Sequence, residues 1–171
     1  MKLKSINFDP ESKYFTSMIM LCCSLLLFVG CASTSIPMHD SMESYTVTME
    51  RTACRGNCPV YALTIHGDGT VEFEGFSNVP YKGKRIGQLP DDSVRVLLRS
   101  IEDLDINSLK HEYVHQATTD MPSVLFTVLH MKDGIIRGKK IVDYQGDASA
   151  PEGLRLLYNR FDFWYSHIQW Q

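Results

Sequence analysis

Tyr45, Val47 and Met49 alternate with Thr46, Thr48 and Glu50, the two-residue period of a strand with one face buried. The period returns at Tyr61, Leu63 and Ile65. His66-Gly67-Asp68-Gly69 then supplies hairpin-turn chemistry, and Val71 and Phe73 continue on the return strand with Thr70, Glu72 and Glu74 on its other side. A further short strand is expected over residues 84–89. The period then changes. Pro90, Asp91 and Asp92 open a helix, acidic residues being favoured in a first turn, and Val94, Leu97, Leu98, Ile101 and Leu104 form one apolar stripe. Residues 105–123 carry no clear period and read as a short helix followed by a loop through Thr118-Thr119-Asp120-Met121-Pro122. Residues 124–131 and 135–144 predict a second hairpin, joined at Asp133-Gly134. Ser149-Ala150-Pro151-Glu152 fits a capping box. It precedes a helix marked by Leu154, Leu157, Tyr158, Phe161, Trp164, Tyr165 and Ile168. No solenoid-type repeat is present. The order predicts an α+β fold: an antiparallel sheet with two helices packed on one face, a two-layer sandwich.

The first thirty residues follow another pattern. Lys2, Lys4 and Lys13 precede an uncharged apolar run over residues 18–29, ending in Phe28-Val29-Gly30-Cys31. Basic residues, a short apolar run and small residues at a cleavage point make a secretory signal. The placement of Cys31 resembles a bacterial lipoprotein signal, in which the cysteine is lipidated and becomes the mature N-terminus. Two alternatives stay open: cleavage after Ala32, or an uncleaved anchor, since no charged residue lies between Lys13 and Asp40. All three put the folded part outside the cytoplasm. The expected organisation is a signal peptide over residues 1–30, a lipidated cysteine and tether over 31–44, and one domain over 45–171. Ala32, rather than an Asp that retains many lipoproteins in the inner membrane, points to an outer-membrane lipoprotein facing the periplasm.

Charge narrows the partners. The chain carries −3; without residues 1–30 it keeps 14 basic and 18 acidic residues, a net of −4. A mildly acidic chain without a basic block is not built for nucleic acid. Five cysteines are present. Cys22 and Cys23 would leave with the signal and Cys31 would carry lipid, so Cys54 and Cys58 remain. In an oxidising compartment such a pair forms a disulfide. Arg55-Gly56-Asn57 can make the tight turn it needs, and closing so short a loop is worth about 2 kcal/mol.

Four constellations are candidates for chemistry. His111-Glu112-Tyr113-Val114-His115 is a literal H-E-x-x-H; on a helix, His111 and His115 would share a face and hold zinc while Glu112 activated its water. Against it, Thr118 and Met121 stand where the extended motif places Gly and His, and surface histidines beside a loop satisfy the pattern equally. Cys54-x-x-x-Cys58-Pro59 superficially resembles the copper site of thioredoxin-like copper chaperones, but a strand rather than a helix follows it. Asp120, Asp143 and Asp147 are hard-cation ligands in principle, although Asp at strand ends more often makes turns. Tyr158, Trp164, Tyr165 and Trp170 would suit a ligand platform, yet their helical spacing assigns all but the terminal Trp170 to the core.

Thr52-Ala53-Cys54-Arg55-Gly56-Asn57-Cys58-Pro59-Val60-Tyr61, followed by Gly67-Asp68-Gly69-Thr70-Val71, resembles a bacterial family of domains of unknown function with a T-x-C-x-G-x-C-P-x-Y motif and a G-D-G-x-V hairpin. Tyr113, Thr119-Asp120-Met121-Pro122, Tyr144-Gln145-Gly146-Asp147 and Ala150-Pro151 extend the likeness over residues 45–170. It implies a small secreted or lipid-anchored protein without assigned activity. The expectation is therefore a non-enzymatic binding or interaction module, held to the membrane by its lipid, with an envelope protein or glycan as partner and no cofactor. The alternative is a small zinc-dependent metallopeptidase using His111, Glu112 and His115.

Overall fold

The computed structural model of the chain describes residues 42–114, 120–145 and 148–171. Among these residues the strands are β1 (Tyr45–Arg51), β2 (Val60–His66), β3 (Thr70–Ser77), β4 (Gly83–Gln88), β5 (Glu112–Tyr113), β6 (Ser123–Lys132) and β7 (Ile135–Tyr144). The helices are α1 (Asp91–Asp103) and α2 (Glu152–His167), with a 3₁₀ turn at Ile106–Ser108. All seven strands form one sheet in the order β4-β3-β2-β1-β6-β7-β5. Every pairing is antiparallel except the short β5, which runs parallel to the edge of β7. The expected α+β fold is thus the observed one.

Both hairpins turn where their sequences require it. Gly69 has φ +85°, and Asp133 and Gly134 have φ 52° and 73°, the positive values that primed turns demand and that Gly and Asp supply at least cost. Each helix starts on a proline in extended conformation, Pro90 with ψ 147° and Pro151 with ψ 143°. The capping box expected at Ser149 does not form: Pro151 is the N-cap residue, and no side chain caps the helix. The locked φ of proline, together with Glu152 in the first turn, starts α2 instead.

The strand period puts one face of the sheet under the helices. Val47, Met49, Leu63, Ile65, Val71, Phe73, Phe126, Val128 and Ile141 are buried there. Leu97, Leu98 and Ile101 of α1 and Leu154, Leu157, Tyr158 and Phe161 of α2 join the same core. Phe126 packs against Tyr158 and Phe161 at ring-centroid separations of 5.7 and 5.6 Å. Trp170 departs from its expectation of an exposed end. It folds back onto Phe73 at 5.2 Å, over Gly87, where any side chain would run into Ile168 and Trp170. Among the described residues no helix is long and apolar enough to cross a membrane.

Candidate functional site

Register sorts the helix-facing side chains into rows, because directly paired residues point to the same face. The middle row, Met49 with Leu63, Phe126 and Ile141, is apolar. The rows at the two ends are polar. At one end Arg51 pairs with Tyr61 and Val124, Val124 with Asp143, and Asp143 with Tyr113. At the other, Tyr45 pairs with His130, and His130 with Arg137.

The Arg51 end is closed by α2 and by the disulfide corner. Arg51 Nε donates to Asp162 Oδ1 at 2.7 Å, its Nη2 donates to Oδ2, and the Tyr61 hydroxyl donates to Oδ1. The Arg51 side chain is only 12% exposed. Burial alone would push its guanidinium toward losing the proton, but the bonds and charge of Asp162 outweigh that and hold it charged. Burial, reinforced by Asp162, raises the Tyr61 phenol far above its ordinary value, and burial with the charge of Asp143 does the same to Tyr158. Asp143 is fully buried, and its Oδ2 accepts from Gln145 Nε2 at 3.1 Å.

Around this row stand many of the residues that carried the family resemblance. Cys54 and Cys58 are bonded, with Cα atoms 5.7 Å apart. Arg55 N donates to Asp120 O at 3.1 Å, and its side chain faces the Asp120 carboxylate at 3.7 Å. Thr52 and Ser123 exchange two bonds, of 3.0 and 2.8 Å. Met121 N donates to the Tyr144 hydroxyl at 3.0 Å, and Gln145 N to Pro122 O at 3.0 Å. These positions, scattered over some ninety residues of sequence, thus meet at one end of the sheet, while the Gly67-Asp68-Gly69 turn lies at the other, where Gly67 N donates to Tyr45 O at 2.9 Å.

The opposite end is open. Tyr45 and His130 stack at 4.1 Å, with planes 7° apart. Beside them a cleft of about 500 Å³ is floored by Ile101, Ile106 and Val128 and bordered by Glu102, Asp105, Arg137 and Lys139. Lys139 is buried and donates to Asn107 O at 3.3 Å and Leu109 O at 2.5 Å, fixing the 3₁₀ turn over the sheet. Asp105, at φ 45° and ψ 58°, turns the chain out of α1 in the left-handed region that Asp tolerates better than most residues. Burial and then the Glu102 carboxylate raise the Tyr45 phenol, so it stays a neutral donor over the working range. One wall of the cleft therefore carries a cation (Arg137) and the other carboxylates (Glu102, Asp105).

Among the described residues the remaining sequence candidates are not brought together. His111 and Glu112 lead into and form β5, where His111 O accepts from Val142 N at 2.8 Å and Glu112 pairs with Val142. The zinc reading requires a helix in which residues four apart share a face; here the segment is extended, and His115 lies outside the described residues. Asp120 is exposed against Arg55 whereas Asp143 is buried, and Asp147 lies outside the described residues. Among the described residues no three His, Cys, Asp or Glu side chains converge as a metal site. Cys31, the signal and most of the tether also fall outside them. Tyr158 and Trp164 are core, and Tyr165 packs on Tyr61 at 4.4 Å, so the aromatics form no open platform.

One family model matches the chain over residues 45–165, the family described as a domain of unknown function, DUF6438. No curated protein matches it.

Proposed function

We propose a function for this chain, which belongs to the DUF6438 family, from the difference between the two ends of its sheet. The domain is a non-enzymatic binding module. Its ligand is small and dipolar, of the kind presented by a short peptide or a wall peptide carrying both ammonium and carboxylate. It enters the cleft with its carboxylate toward Arg137 and His130 and its ammonium toward Glu102 and Asp105. The observation that carries this reading is the cleft itself: about 500 Å³, with an apolar floor, an aromatic stack and walls of opposite charge. That size and composition suit a ligand site, and charge-assisted bonds at both ends of a ligand supply orientation as well as affinity.

The module is held at the envelope by lipid on Cys31 and works in the periplasm; the support is the pattern over residues 1–31. Two measurements test the proposal. Calorimetry with alanyl-alanine should show binding that is lost when its amine is acetylated or its carboxylate amidated; equal binding of all three forms would refute the dipolar site. The mass of the N-terminal peptide of the mature protein should show acyl chains on Cys31, absent in Cys31→Ser.

A further inference from the structure

The chain enters the domain beside the tip of the β6–β7 hairpin. Ser44 O accepts from Met131 N at 2.9 Å, immediately before Tyr45 pairs with His130. Beyond that point the hairpin runs past the end of β1 to its turn at Asp133-Gly134, with Met131 paired to Ile136 and Lys132 to Ile135. Met131 is 54% exposed, Ile135 58% and Ile136 67%. Strand alternation puts Met131 and Ile136 on one face of the tip and Ile135 on the other. Lys132, Arg137 and Lys140 are exposed on this hairpin, with the acidic Asp133 at its turn and Glu43 beside Ser44, a net of +1 on a domain that is otherwise acidic.

We infer that this hairpin tip is a second membrane contact, inserting its apolar residues into an anionic bilayer surface. The inference rests on the proposed lipid anchor at Cys31. Three observations select a lipid surface. A flat protein partner covers one face of a two-stranded tip, whereas a bilayer interface surrounds both, and both faces here are apolar. The basic residues match anionic headgroups in charge, and their aliphatic stems lie along apolar surface while the charges stay in water. Finally, only eleven peptide bonds separate Cys31 from Met42, so the covalent reach between them is at most about 40 Å, and the chain enters the domain at Ser44, beside the tip. The anchor therefore keeps the tip at high local concentration near the bilayer. The cleft, which shares Tyr45, His130 and Arg137 with this end, would face the membrane side of the molecule.

The test uses the full mature chain in vesicles of equal parts phosphatidylglycerol and phosphatidylethanolamine. A nitrobenzoxadiazole label is placed at Ile135→Cys or, at the opposite end of the sheet, at Lys82→Cys; the chain without an added cysteine supplies the background. Doxyl-labelled lipid should quench the label at position 135 and leave that at 82 unchanged, and adding Ile136→Asp should reduce the quenching several-fold. An unquenched label at 135 overturns the proposal. So does a blue shift at 135 without lipid quenching, which would mean a protein partner or a second copy on the tip. The acyl mass at Cys31, read on the same sample, judges the anchor separately: an acylated chain with an unquenched tip removes this inference and leaves the anchor, and quenching without acylation does the reverse.

Discussion

At the disulfide end of the sheet, Arg51 and Tyr61 direct their polar atoms at a single carboxylate, Asp162, carried over them by α2. At the cleft end, Tyr45, His130 and Arg137 occupy the corresponding row, but what stands opposite is open space bordered by Glu102 and Asp105. The rows are built alike, from polar residues at inward-facing strand positions. What differs is the cover. Under a helix that brings a partner, a polar row becomes a lock on register and helix placement, since leaving any member unpaired in the interior is costly. Without that cover, the same kind of row keeps its hydrogen-bonding capacity for something that arrives. The Cys54–Cys58 corner and the Asp120, Met121, Tyr144 and Gln145 positions collect at the locked end, whereas the Gly67-Asp68-Gly69 turn lies beside Tyr45 at the open one.

The largest expected effect breaks the lock. Asp162→Ala leaves the Arg51 guanidinium buried without its carboxylate and should lower unfolding stability by about 3 kcal/mol, seen as a lower urea midpoint at unchanged slope. A loss below about 1 kcal/mol, the worth of an exposed pair, would mean the two ends do not differ as described. Next in size is the disulfide. Replacing Cys54 and Cys58 together by Ser should cost about 2 kcal/mol and leave the fold intact. In the native protein, intact mass with and without reductant should reveal two thiols.

Alkaline pH sharpens the same comparison. Burial and the Asp162 carboxylate raise the Tyr61 phenol above its ordinary value of 10.0, so above pH 10 the unfolded chain loses that proton while the folded chain keeps it. The unfolded state then binds fewer protons, and stability falls as pH rises through the folded value. Its contribution is complete below pH 10 and is lost above it. Denaturation followed across this range should show a shallower decline in Tyr61→Phe than in the parent; an identical decline would remove Tyr61 from the lock. The smallest effect belongs to the open end. Arg137→Ala, at an exposed position, should change stability by less than about 0.5 kcal/mol while abolishing alanyl-alanine binding in calorimetry.

Much of the fold was legible in the period of apolar residues: both hairpins, both helices and the buried face follow from alternation and from stripes. The polar rows were legible in part. Arg51 continues the inward series of Tyr45, Val47 and Met49, and Asp143 continues that of Ile141. A charge at such a position signals a buried partner, but the partner, Asp162, lies 111 residues away and its identity depends on where α2 crosses the sheet. The cleft was not legible, because its walls come from the end of α1, a 3₁₀ turn and three strand ends that meet only in the folded chain. Two local patterns are read differently in the folded chain for the same reason. Glu112 and Tyr113 of the H-E-x-x-H pattern pair with the edge of β7 as a strand, and Ser149 matches a cap where Pro151 starts the helix.

The most direct test of the difference between the ends is an amide chemical-shift titration of the isotopically labelled protein with alanyl-alanine. Saturable shifts should concentrate at Tyr45, Glu102, Asp105, His130 and Arg137 and spare Arg51, Tyr61 and the Cys54–Cys58 corner. Shifts centred on Arg51, Tyr61 and Asp162, or none at all at millimolar ligand, would contradict the assignment of binding to the open end.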